Sequence, residues 1–181
     1  MKVIKTEIES VVIIEPTRHE DGRGWFAEVF SQRGFADKVC AKTVFVQDNE
    51  VWSRGGVVRG LHFQRPPHEQ AKLVRAVRGA IVDVAVDLRR GSPTFGRHVA
   101  VELSAENGRQ LFIPRGFAHG YSVLGDEALV VYKCDDFYAP DFEGGVRFDD
   151  SALGIDWRID PARIVVSGRD RALPLLSGLR I

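Results

Sequence analysis

Hydrophobic and polar positions along this chain fall into short alternating or apolar runs, most of them closed by glycine, proline, asparagine or aspartate. Val11 to Glu15 reads as a strand ended by Pro16, and the polar stretch Thr17 to Gly24 reads as a loop. Trp25 to Phe30 reads as extended again. A single helical stretch interrupts the first half, where Ser31 is placed to cap a short helix running to about Val39. Lys42 to Asn49 and Val57 to Gln64 predict strands, the second ended by Pro66-Pro67. Ala71 to Leu88 is apolar sequence broken by charges with Arg78-Gly79 near its middle, which predicts a hairpin. His98 to Leu103 and Gln110 to Ile113 predict two more strands, and the runs flanking Gly125-Asp126 predict a second hairpin. Many short strands with turn chemistry between them point to an all-β jelly-roll barrel, one domain over residues 1–181 with a few short helices and an irregular C-terminal tail.

Composition narrows the partners. The 25 basic and 25 acidic residues cancel, which removes any net attraction to nucleic acid or to an anionic membrane, so an anionic ligand has to be met locally. Lys5, Glu7 and Glu9 break up the apolar N-terminus, and no apolar run reaches the roughly 20 residues of a membrane span. Cys40 and Cys134 read as reduced thiols of a cytoplasmic protein.

Candidate chemistry gathers around His62, in the run Arg59-Gly60-Leu61-His62-Phe63-Gln64. Strict strand alternation puts His62 on one face with Gly60 and Gln64, and Arg59, Leu61 and Phe63 on the other. Gly56 and His62 with five residues between them, and Gly108, Pro114, Gly116 and His119 at their spacing, are similar to the two cupin motifs, which belong to small jelly-roll barrels. A metal-binding cupin carries His-x-His, then Glu, then a third His. Here Gln64 occupies the second position, so no metal is expected. A metal-dependent cupin oxygenase or isomerase would have to rely on His62, Glu69 and His119.

More blocks carry a closer resemblance: Asp21-Gly22-Arg23-Gly24 with Phe26 and Glu28, Gln47-Asp48-Asn49, Arg59 to Gln64, and Gln70 to Arg75. Asp83 to Gly96, Ile113 to Gly120, Tyr132-Lys133 and Asp170 continue it. Across nearly its whole length the chain resembles the RmlC-type dTDP-4-dehydrorhamnose 3,5-epimerases, cupins that act on a nucleotide-diphosphate sugar without metal or other cofactor. The resemblance also implies a homodimer in which an N-terminal strand, here Val11 to Ile14, joins the partner's sheet.

A 4-keto group acidifies the protons on C3 and C5, so epimerisation needs a base on one face, a group to stabilise the enolate oxygen, and an acid on the other face. His62 suits the base, with its tautomer fixed by Asp170 in the role the resemblance gives that residue. Lys72 suits the enolate oxygen and Tyr132 the acid. His119, Arg59 and Lys72 form a cationic neighbourhood for two phosphates. By resemblance, Arg23, Glu28, Gln47 and Asn49 are nucleotide and phosphate contacts, with Glu143 and Arg169 as further binding positions. Phe26 and Tyr138 offer aromatic faces to a base. A non-catalytic sugar-nucleotide-binding cupin is the remaining alternative.

Overall fold

The computed structural model describes residues 1–180. The chain begins with β1 (Lys2–Lys5) and β2 (Val12–Glu15), followed by a small separate hairpin of β3 (His19–Asp21) and β4 (Gly24–Phe26). The helix α1 (Gln32–Lys38) starts where predicted, with Ser31 Oγ accepting from the Gly34 amide at 3.4 Å. It buries Phe35 against Phe45 and Phe112, each with ring centroids 5.1 Å away. Then come β5 (Gln47–Arg54), β6 (Val58–Gln64), β7 (Lys72–Asp87), β8 (His98–Ser104), β9 (Gln110–Ile113), β10 (Phe117–Cys134), β11 (Glu143–Gly145) and the single-turn helix α2 (Gly168–Arg171). The all-β expectation holds, and the pairing between these strands is antiparallel throughout.

The two expected hairpins are not hairpins. β7 and β10 are single bent strands of 16 and 18 residues, paired with each other from Phe117↔Asp87 to Cys134↔Lys72. Between Leu124↔Ala80 and Leu129↔Arg78 the ladder breaks, and Gly125 to Ala128 stand opposite Gly79 alone. Gly79 sits at φ +67°, where an added Cβ would meet the Glu127 carbonyl oxygen at 2.0 Å, so the bend requires glycine. Each half of the two strands has a further partner. β9 pairs the first half of β7 and β8 the second, while β6 pairs the first half of β10 and β5 the second. Apolar alternation marks a strand in either topology, and long-range partners decide between turning back and running through. Smaller shifts follow the same rule. The strand predicted from Lys42 begins at Gln47, the predicted loop contains β3, and extension after Trp25 stops at Phe26.

β2 pairs β9 of its own chain and β1 covers its other edge, so the Val11 to Ile14 run is not free to join another subunit's sheet. The main core gathers around Val74, Ile81, Leu103, Leu111 and Val130. A second core fastens the tail, with Val146, Phe148, Leu153 and Trp157 packed on Val58, Leu61, Val82 and Val84. Full burial of a large apolar side chain contributes about 1.5–3 kcal/mol, so these few residues can hold a segment that has almost no strand pairing. Trp157 also donates Nε1–H to the Phe148 carbonyl at 2.9 Å. No helix among the described residues is long and apolar enough to cross a membrane.

Candidate active site

A cavity of about 460 Å³ opens between β6, β7, β10 and α2. It is lined by Arg59 and His62 from β6, Lys72 from β7, and His119, Tyr121 and Tyr132 from β10, with Arg169 and Asp170 arriving from the tail.

Strict alternation would have separated Arg59 from His62. His62 pairs with His119 and Arg59 with Tyr121, which leaves Gly60 and Leu61 opposite Gly120 alone. This bulge slips the alternation by one residue, so Arg59 and His62 share the cavity wall while Leu61 and Phe63 enter the core. Gly60, at φ +100°, lies so close to β10 that an added Cβ would meet the His119 carbonyl oxygen at 2.6 Å.

The expected meeting of His62 and Asp170 takes place. His62 Nε2 lies 2.8 Å from Asp170 Oδ1, and Asp170 Oδ2 accepts the Gly60 amide at 3.1 Å. Ser167 Oγ accepts the Asp170 amide at 3.0 Å and fixes the turn that delivers the carboxylate. An ionised carboxylate only accepts, so Nε2 carries the hydrogen and Nδ1 keeps the lone pair a base needs. The His62 side chain is 32% exposed and that of Asp170 only 7%, so the base is reachable while its partner is shielded.

Burial pushes the Lys72 ammonium below the usual lysine pKa, against the pull of Cys134, Asp83 and Glu143. Its Nζ lies 6.0 Å from the centre of the Tyr132 ring. Burial also pushes the Tyr132 phenol up to about 12, with Cys134, Tyr121 and Glu143 adding to the rise and Arg59 opposing it. Directly across from His62 on the neighbouring strand β10 lies a pair the sequence did not single out: His119 Nε2 and Asp83 Oδ1 are 2.7 Å apart. Asp83 is fully buried and its Oδ2 has no hydrogen-bond partner among the described residues. Burial holds His119 below the usual histidine pKa, although Asp83 pulls it up. The available signal was a carboxylate set between Val82 and Val84 in the apolar run Ala80 to Leu88, which Asp83 shares with Asp87, since a buried charge requires a partner.

Five predicted binding residues form one chain that reaches the cavity at Arg169. Gln47 Nε2 donates to Asn49 Oδ1 at 3.1 Å, and Gln47 Oε1 accepts the Tyr138 amide at 3.0 Å. The Tyr138 hydroxyl donates to Glu143 at 2.7 Å, and Glu143 also pairs with Arg169. Burial alone would raise the Glu143 pKa, but the hydrogen bonds from Arg169 and Tyr138 outweigh it and hold the carboxyl low.

Arg23, Phe26 and Glu28 are not brought to this cavity. They lie on or just after the β3–β4 hairpin, where Phe26 is 71% exposed and Arg23 pairs only with its near neighbour Asp21. The metal set is not assembled either. Gln64 ties loops together, donating to the His68 and Phe137 carbonyls at 2.6 and 3.2 Å, and Glu69 lines a separate depression with Arg65 and Gly116.

The sequence model for dTDP-4-dehydrorhamnose 3,5-epimerase matches residues 5–178. The chain belongs to this family. A dTDP-4-dehydrorhamnose 3,5-epimerase of Shigella flexneri is 54% identical over 159 residues, covering 88% of each chain. The crystal structure of the Elizabethkingia anophelis epimerase superposes with a TM-score of 0.94 at 48% identity, covering 98% of this chain and 97% of the other. A Legionella pneumophila epimerase in complex with dTDP-4-keto-L-rhamnose superposes with a TM-score of 0.95 at 44% identity, covering 99% and 94%.

Proposed function

We propose that the protein epimerises C3 and C5 of a dTDP-4-keto-6-deoxyhexose. The observation that carries this reading is the His62–Asp170 hydrogen bond, which leaves a lone pair on a cavity nitrogen and a shielded carboxylate behind it. Nδ1 of His62 takes the proton from the carbon beside the ketone, and the released electron pair moves to the 4-keto oxygen. Lys72 meets the developing enolate charge, in a setting where little water competes. Tyr132 returns a proton to the other face and is left as phenolate, and the pair is reset when the phenolate regains a proton and the imidazolium loses one. Gln47, Asn49, Tyr138, Glu143 and Arg169 bind the nucleotide and diphosphate, and Arg59 acts on Tyr132 from the cavity wall. Incubation in heavy water with dTDP-4-keto-6-deoxyglucose should place deuterium at both carbons. Absence of exchange from folded protein would overturn the proposal.

The active form in this reading is a homodimer. Its support is the β3–β4 hairpin, which exposes Trp25 and Phe26 and holds Arg23 away from its own cavity. An exposed apolar arm is a feature of docking surfaces, and here it would supply Arg23, Phe26 and Glu28 to the partner's site. Mixing Arg23→Ala with His62→Ala protein under exchange conditions should restore activity that neither variant has alone. Failure of the mixture to regain activity, with subunit exchange verified, would assign the arm to its own cavity.

A further inference from the structure

We propose that Ser53, which lines no part of the cavity, positions the acid side of the site by holding Arg59 and Tyr121 beside Tyr132 in one hydrogen-bonded chain. The inference rests on the epimerase reading above. Ser53 lies on β5 with only 3% of its surface exposed. Its Oγ accepts Arg59 Nε–H at 2.9 Å and lies 3.3 Å from the Tyr121 hydroxyl. Arginine only donates, so one lone pair of the serine is taken. The serine's own hydrogen has a single acceptor among the hydrogen bonds of the described residues, the Tyr121 oxygen. Tyr121 then receives from Ser53 and keeps its phenolic hydrogen for the cavity it lines.

The arrangement matters because Tyr132 has to give up a proton in surroundings that oppose its ionisation. The Tyr132 hydroxyl has no hydrogen-bond partner of its own among the described residues, and Arg59 is the cation acting on it against burial. The β6 bulge turns Arg59 toward the cavity, but a long side chain on a strand has many rotamers. The Ser53 bond fixes the guanidinium through Nε. After the O–H bond of Tyr132 breaks and the proton goes to carbon, the phenolate charge is met by a cation and a phenol already in place. An enzyme that inverts two carbons has to form and reprotonate this phenolate twice per substrate. Positioning on the acid side therefore bears on inversion and leaves proton abstraction by His62 largely untouched.

The test compares exchange with inversion in heavy water. His62 is partly exposed, so its imidazolium can trade its proton with solvent and return deuterium to the original face without help from Tyr132. In Ser53→Ala, exchange should stay within about threefold of wild type while inverted product falls about tenfold or more, and Ser53→Thr should restore inversion. Tyr121→Phe, which keeps the packing and removes only the hydroxyl, should shift the same ratio and serves if Ser53→Ala does not fold. An unchanged ratio of exchange to inversion, or parallel losses tracking a lower melting temperature, would overturn the proposal. Exchange in the wild type tests the epimerase reading separately, since its absence removes that reading whatever the variants do.

Discussion

Two histidine–carboxylate pairs face one cavity with nearly the same hydrogen bond, 2.8 Å for His62–Asp170 and 2.7 Å for His119–Asp83. Their surroundings differ. His62 is a third exposed and its carboxylate comes from the tail, anchored by the Gly60 amide and the Ser167 cap. His119 and Asp83 sit on adjoining strands, both buried, with one carboxylate oxygen unpartnered. A pair that can meet substrate and solvent is suited to cycling a proton. A sealed pair, whose imidazole is kept neutral by desolvation, is suited to holding one tautomer and one orientation. In the proposed mechanism, access alone would divide identical chemistry into a working pair and a supporting pair.

The largest expected effect falls on the exposed pair. His62→Ala should lower exchange by about 10²- to 10⁴-fold, the usual contribution of general base catalysis, with the urea midpoint nearly unchanged. If His119→Ala lost as much exchange at equal stability, the division of labour would be wrong. Next is Tyr132→Phe, in which inverted product should fall about 10²-fold while deuterium still enters the substrate. Loss of exchange together with inversion would place Tyr132 on the base side. Third, Asp83→Asn should lower stability by about 1–3 kcal/mol, because it removes a charged acceptor from a buried imidazole, with exchange affected far less than by His62→Ala. Urea unfolding measures the first quantity and heavy-water exchange the second.

The smallest effect is on pH dependence. His119 has a folded pKa below its unfolded value, which is about 6.5. On acidification the unfolded chain takes up the proton first, so stability falls as pH drops below that value and flattens once the folded pKa is passed. His119→Gln should remove this part of the slope between about pH 6.5 and the folded pKa. An unchanged slope would assign the acid sensitivity to other groups.

Much of the site was legible in the linear order of residues. His62, Lys72, His119, Tyr132 and Asp170 were named from the family resemblance that short local blocks carry and from the chemistry a ketone-directed epimerase needs, and all five line one cavity. What failed was any statement that depended on pairing. Gly79 and Gly125 look like turns in the sequence, yet in the folded chain they mark the bend of two through-strands. Arg59 was assigned to the wrong face because a bulge is created by the neighbouring strand and carries no period of its own. Ser53 carries no local motif and Asp83 stood only as the start of a longer block, so their places become visible only beside Arg59, Tyr121 and His119.

Residue type and local period marked most of the extended segments and the start of α1, and the resemblance carried by short blocks marked the candidates for base, acid and cation. Long-range packing settled how β7 and β10 run, which face Arg59 occupies and where the β3–β4 arm points. The His62–Asp170 contact shows the boundary between the two: both residues could be named from the sequence, but 108 positions separate them. Period and propensity act over a few neighbouring residues, whereas that contact forms because the tail buries Phe148, Leu153 and Trp157 against the barrel and so carries Asp170 back to β6.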